Sequence, residues 1–279
     1  MKPSIKWVGG KGWLAPLLAE LYAGHEHRRF VELFCGAAAV THHIEPERAL
    51  LNDVNPHLIN FLRHWRLGLI DPDKPLFTND EQVYYTNREK FNELIADPIM
   101  QHSEDAAALF YYLNRSGFRG LCRFNRGGQF NVPYGHYKSM DYSGLLQTPR
   151  RRCRYWEVSC GDFGEARTYR YSTGITVADF IYADPPYDGA FTGYNPNGFT
   201  WEDQTRLAQL LREHDGPAVV SNAATDRIVT LYGAAGFTLY RITGGQRISV
   251  GDRAPVTELL AVRNLDPGLP TLQRLEAIG

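Results

Sequence analysis

Short apolar runs alternate with helix-spaced stretches at both ends of the chain, and a polar, arginine-rich middle separates them. The first run, Phe30-Val31-Glu32-Leu33-Phe34, leads straight into the small-residue turn Cys35-Gly36-Ala37-Ala38-Ala39, the opening of a strand-turn-helix unit. A second run, Ala49-Leu50-Leu51-Asn52, ends at Asp53. From Pro56 onward apolar residues recur at Leu58, Ile59, Leu62 and Trp65, which is helical spacing, and proline suits a first helical turn. The helical, polar-rich pattern continues to about residue 112, with aromatics at Phe91, Phe110, Tyr111 and Tyr112.

Residues 114–137 change character, being dense in Gly, Arg, Asn and aromatics, and read as a loop and hairpin with an extended piece at 130–133. Strands are expected again at 155–158, 180–183 and 218–221. A helix is expected at 201–214, with Thr200 as its cap and Asp203 three residues on. Residues 237–243 and 257–262 read as a C-terminal hairpin. Strands alternating with helices imply an α/β fold, a doubly wound, mainly parallel sheet covered on both faces. The simplest division is a domain built from 1–56 and 151–279, interrupted by a mainly helical insert at 57–150 that carries the hairpin.

Composition changes this picture little. The 279 residues are 43% hydrophobic, enough for a core, and no apolar run reaches the roughly 18 residues of a membrane span. The N-terminus, with Gly and Pro among its apolar residues, reads as mature sequence rather than a signal peptide. Cys35, Cys122, Cys153 and Cys160 are not at zinc spacing, so no metal is expected and the thiols read as reduced, in a cytoplasmic protein. Charge changes the picture more. The net charge is −1, yet between Arg115 and Tyr155 nine basic residues (including Arg119, Arg123 and Lys138) face one acid, Asp141. A basic block in a neutral chain is the footprint of a polyanion.

Four segments carry candidate chemistry. Asp184-Pro185-Pro186-Tyr187 follows the strand at 180–183, where ligands bind in open α/β sheets. The prolines remove two N–H groups, leaving the Asp184 carboxylate and the Pro185 carbonyl as two acceptors at one point. Two acceptors match an amino group with two N–H donors, and Tyr187 offers a flat face for its ring. The turn after Phe34, with Asp53 nineteen residues beyond it, suits a nucleotide-like ligand, although a full three-glycine fingerprint is missing. Trp7-Val8-Gly9-Gly10-Lys11 lacks the spacing of a phosphate loop. The segment 113–125 interleaves arginines able to read guanine with aromatics able to wedge into a base step.

Together these segments resemble the Dam-type N6-adenine DNA methyltransferases of bacteria and phages. The matching pieces are Lys6-Trp7-Val8-Gly9-Gly10-Lys11, Phe34-Cys35-Gly36, Asn52-Asp53-Val54-Asn55, residues 113–125 and 130–138, the Asp184–Tyr187 box, Ser221-Asn222 and Arg247-Ile248-Ser249. The resemblance implies a class I methyltransferase sheet with an inserted target-recognition domain. It also implies S-adenosylmethionine as methyl donor and transfer to adenine N6 in double-stranded DNA by base flipping, with GATC as target; the oligomeric state stays open, and a monomer on DNA is compatible with it. It places catalysis at Asp184, Pro185, Pro186 and Tyr187. Cofactor contacts fall at Trp7, Gly9, Lys11, Phe34, Gly36, Asp53, Asp162, Phe163 and Asp184, with Asp53 on the ribose. DNA contacts fall at Lys6, Phe118, Arg119, Leu121, Arg123, Pro133, Lys138, Arg247 and Ser249. Two departures stand out. Ala38 replaces the second glycine of the family's Phe-x-Gly-x-Gly turn, and its methyl is expected to tighten the cofactor approach. Phe118-Arg119 replaces the common Tyr-Asn. N4-cytosine methylation, amide methylation of a protein and an inactive DNA-binding protein remain as rival readings, and a dehydrogenase fits least.

Overall fold

The computed structural model describes residues 5–71, 77–142, 153–165, 174–188, 198–246 and 255–278. Its strands are β1 (Arg29–Glu32), β2 (Ala49–Asp53), β3 (Trp156–Cys160), β4 (Asp179–Ala183), β5 (Ala218–Ala223), β6 (Thr238–Gln246), β7 (Pro255–Arg263) and β8 (Glu276–Ile278). They form a sheet in the order β3-β2-β1-β4-β5-β7-β6-β8. β1 to β5 pair in parallel, whereas β7 runs antiparallel to β5 and β6, and β8 antiparallel to β6. The direction of winding reverses between β1 and β4, and such a switch point opens a crevice beyond the strand ends.

Period-two alternation explains the layers. In β4, Phe180 and Tyr182 join the cluster with Leu14, Leu18 and Leu21, while Ile181 and Ala183 join Leu207, Leu211 and Ile228 on the other face. Both faces are therefore buried, which is why β4 reads as the apolar run 180–183 and why β1, with Arg29 and Glu32, is buried along its whole length. The first face carries α1 (Ala15–Tyr22) and α2 (Ala39–Ile44); the second carries α6 (Trp201–Arg212) and α7 (Asp226–Ala234). The short α8 (Pro270–Gln273) adds Leu272 to the first cluster. Thr200 and Asp203 form the expected reciprocal capping box at the start of α6.

α3 (Pro56–Leu67) begins at Pro56, capped by Asn55, whose side chain accepts from the N–H of His57 and Leu58. Its apolar stripe packs on Leu51, Trp156 and Val158, and the same cluster runs on into α4 (Glu81–Ala96) and α5 (Glu104–Ser116). α5 is buried from Ala106 through Asn114. The loop expected from residue 114 therefore starts later, because α5 continues to Ser116. The expected hairpin beyond it is reduced to two isolated antiparallel bridges, Gly117 with Tyr134 and Phe124 with Phe130. Side chains replace the missing ladder: Asn92 both accepts from the Phe130 N–H (2.7 Å) and donates to the Phe130 carbonyl (3.2 Å), and the Tyr84 hydroxyl donates to Val132 O (2.9 Å). No helix of the described residues is long and apolar enough to cross a membrane.

Candidate active site

The crevice is closed from the N-terminal side by residues 7–11. Gly36 has φ +48°, and a Cβ there would lie 2.7 Å from the Trp7 indole, so only glycine lets that ring close over the turn. The Gly36 N–H donates to Asp53 Oδ2 (3.0 Å) and the Asn55 N–H to Oδ1 (2.9 Å). Asn52 Nδ2 bridges the carbonyls of Leu33 and Gly161, both at 3.1 Å, so the ends of β1, β2 and β3 are held together. Burial pushes the Asp53 carboxyl up, against these backbone donors.

A cavity between these ends is lined by Gly10, Lys11, Glu32, Phe34, Gly36 and Asp184 among others. Burial pushes the Glu32 carboxyl up to about 8, although the Thr41 hydroxyl and N–H both donate to it. Ala38 does not line this cavity. It is fully buried in the cluster under the turn and takes the left-handed conformation at φ 52°, ψ 37°. Its methyl packs in that cluster, and a left-handed alanine carries backbone strain. A second cavity, about 260 Å³, lies at the opposite end of the strands beside Thr176, Val177 and His214.

Asp184 extends directly from β4. Its Oδ2 pairs with Lys11 Nζ at 3.1 Å, and its Oδ1 accepts from the Ser221 hydroxyl at 2.7 Å. The Ser221 oxygen is in turn 2.8 Å from the buried Tyr182 hydroxyl. Burial pushes the Asp184 carboxyl up, and the Lys11 ammonium opposes it. Lys11 is itself tethered by the Gly9 carbonyl (3.2 Å), in a turn where Gly9 has φ +80°. Its ammonium stands 4.6 Å from the centre of the Tyr187 ring. The loop backbone is held by Gln204, which donates to the Pro186 carbonyl (2.9 Å) and accepts from buried Asn222 (3.1 Å). Pro185 is buried between these two anchored residues.

At the outer lip, Phe34, Phe163 and Phe199 form an aromatic group with ring centres 5.4 to 5.8 Å apart. Asp162 accepts from the Gly164 N–H (2.8 Å) and pairs with Arg206, which also lies 4.8 Å from the Phe163 ring. Phe199 and Arg206 were not expected from the sequence, and neither has a local motif to mark it.

The arginine-rich segment meets the N-terminal loop at Lys6. Asn114 accepts from the Lys6 N–H (2.9 Å) and donates to the Lys6 carbonyl (2.8 Å) and to Gly120 O (3.0 Å). Gly120 is required there, since a Cβ would lie 2.5 Å from the Lys6 side chain. Lys6 Nζ donates to Arg115 O (3.1 Å) and sits 4.0 Å over the Tyr137 ring. Phe118 is 44% exposed, with its N–H on the Pro133 carbonyl (2.8 Å), and Arg119 stacks over its ring from a positive φ of 55°. Leu121 is half-buried against the core; Pro133 and Lys138 are exposed. Arg123 is exposed and aimed by Asn131, whose side-chain and backbone oxygens accept from it at 2.8 and 3.0 Å. Arg247 and Ser249 lie outside the described residues.

The strand order, with an antiparallel β7 beside β5 and a turn-and-carboxylate crevice at the switch point, is that of a class I methyltransferase. A family model for D12 class N6 adenine-specific DNA methyltransferases matches residues 7–244. Among curated relatives, a retron Ec67 DNA adenine methylase of Escherichia coli is 36% identical over 274 residues, covering 94% of this chain and 91% of its own. A DNA adenine methylase of Vibrio cholerae is 34% identical, covering 92% and 94%. The type II methyltransferase M.CviBI of Paramecium bursaria Chlorella virus NC1A is 30% identical, covering 83% and 86%. The chain belongs to the D12 class N6 adenine-specific DNA methyltransferases. This bears out the Dam-type resemblance and sets aside cytosine, protein amides and dehydrogenation.

Proposed function

We propose that the chain transfers a methyl group from S-adenosylmethionine to adenine N6 in duplex DNA, at GATC, after flipping the target base out of the helix. The observation that carries this reading is the convergence of Asp184, Lys11 and the Tyr187 ring beside the Gly36 crevice. The crevice suits the donor. Its glycine turn admits no side chain under Trp7, Asp53 sits at the end of β2 facing the turn, and Phe34 and Phe163 offer apolar faces at the lip. Trp7, Gly9, Lys11, Phe34, Gly36, Asp53, Asp162 and Phe163 would hold it, with Asp53 on the ribose hydroxyls.

The bound donor supplies an already activated methyl carbon. The remaining difficulty lies on the base, whose amino lone pair is delocalised into the ring. Tyr187 stacks on the flipped ring. Asp184 and the Pro185 carbonyl accept the two N–H bonds, drawing the nitrogen toward a tetrahedral shape with its lone pair free. These bonds strengthen as N6 gains positive charge, which favours the transition state over the ground state. N6 gains one methyl and releases one proton, and Asp184, made more basic by burial, is its first acceptor. Flipping costs about a few kcal/mol, offset by contacts from the exposed face made of Lys6, Phe118, Arg119, Leu121, Arg123, Pro133 and Lys138. Arg247 and Ser249 are assigned to the phosphate backbone by resemblance. Residues 57–150 form the target-recognition part and the rest the catalytic part, acting in the cytoplasm of a bacterial cell.

The test is incubation with labelled S-adenosylmethionine and duplexes with and without GATC, followed by mass identification of the modified nucleoside. N6-methyladenine confined to the GATC duplex supports the whole reading. Methylation spread over both duplexes removes GATC and the role given to the arginine-rich face.

A further inference from the structure

Glu258 stands on β7, 71 residues beyond Tyr187, and accepts the Tyr187 hydroxyl at 2.5 Å. We propose that Glu258 is a positioning residue for methyl transfer, fixing the plane of the Tyr187 ring so that its face meets the target base. This rests on the reading of Tyr187 as the stacking platform.

A tyrosine ring on a loop turns broadly about its second side-chain bond, so stacking needs a restraint at the far edge. The bond to Glu258 supplies one, as a short O–H···O contact. The anchor is stiff. Glu258 lies in the middle of the sheet, in register with Ala223 of β5 and Ile242 of β6, and is only 7% exposed. Lys11 is drawn toward the same ring, so hydroxyl and face are held from two directions. Burying a second carboxylate near Asp184 is unfavourable for both groups, and burial already pushes the Glu258 carboxyl up. The position also links the base pocket to β7, a strand far from the Asp184–Tyr187 segment in sequence.

The test is a mutant cycle on single-turnover methyl transfer to a GATC duplex with Tyr187→Ala, Tyr187→Phe, Glu258→Ala, Glu258→Gln and the Tyr187→Phe/Glu258→Ala double. Tyr187→Phe and Glu258→Ala should each slow transfer by about tenfold to a hundredfold while KM for DNA stays within about threefold. The double variant should be no slower than the worse single. Glu258→Gln keeps an acceptor and should recover most of the rate. Tyr187→Phe removes the same bond without touching the sheet, along with the hydroxyl's bond to Asp184, so wild-type transfer by it decides against the inference even if Glu258→Ala does not fold. Wild-type transfer by Tyr187→Phe, with Tyr187→Ala impaired, overturns the inference and leaves the stacking role standing. Multiplying losses in the double variant overturn it equally. Wild-type transfer by Tyr187→Ala overturns the stacking role and the inference with it.

Discussion

Lys11 Nζ lies 3.1 Å from Asp184 and 4.6 Å from the centre of the Tyr187 ring, so one ammonium faces both the carboxylate and the ring. Two effects compete at Asp184. Burial raises its carboxyl and Lys11 lowers it. Lys11→Met removes the second and leaves the first. The acid limb of the kcat profile should therefore move to higher pH in the variant, because Asp184 stays protonated over a wider range and loses an acceptor. An unmoved acid limb removes Asp184 as the group that titrates in turnover.

Glu32 has an ordinary value of 4.5 and is pushed up to about 8 in its buried place on β1. The folded protein thus keeps a proton that the unfolded chain releases between those values. This contribution is fully present below 4.5 and is lost as pH rises through about 8, so stability should fall across that window, by an amount on the order of a few kcal/mol. Glu32→Gln retains an acceptor for Thr41 and should flatten the slope. Urea unfolding at a series of pH values measures both proteins, and equal slopes contradict the assignment.

Gly36 and Ala38 are two residues apart and should respond oppositely. Gly36→Ala places a Cβ 2.7 Å from the Trp7 indole, so it should lower the melting temperature and weaken S-adenosylmethionine binding together. Ala38→Gly relieves a left-handed alanine at φ 52° and should stabilise the protein by about 1 kcal/mol, with cofactor affinity unchanged. Calorimetry of unfolding and of binding separates the two effects. Tighter binding by Ala38→Gly would restore the steric role that the sequence suggested.

Arg123 is exposed but preset by two bonds to Asn131. Arg123→Ala should cost about 1–3 kcal/mol of discrimination at one base pair. Asn131→Ala should cost less, since the guanidinium survives and only its aim is lost. Values of kcat/KM over the set of single-mismatch duplexes give both numbers, and an unchanged ranking of sites excludes Arg123 from base reading.

How much of this was legible depended on locality. β4 is buried on both faces, so the continuous apolar run 180–183 marks it, and the tetrapeptide after it stands out because its four residues are adjacent. The end of α5 misleads for a different reason: Asn114, Arg115 and Ser116 are polar and lead into a Gly- and Arg-rich stretch, so they read as loop, although Asn114 and Ser116 are buried in the helix. Asn92, not a partner strand, satisfies Phe130, so an extended piece was visible but its mode of support was not. The supporting groups Gln204, Arg206 and Glu258 come from α6 and β7 and carry no motif; only the fold brings them to the Asp184 loop and the lip.

The most direct measurement compares wild-type protein with Asp184→Ala in single-turnover transfer of labelled methyl to a GATC duplex, alongside the Kd for that duplex. Loss of one preorganised acceptor at the reacting nitrogen predicts a fall in transfer of at least about a hundredfold, with DNA binding largely kept. Transfer at close to the wild-type rate by Asp184→Ala would contradict the account, because the amino group would then be activated elsewhere.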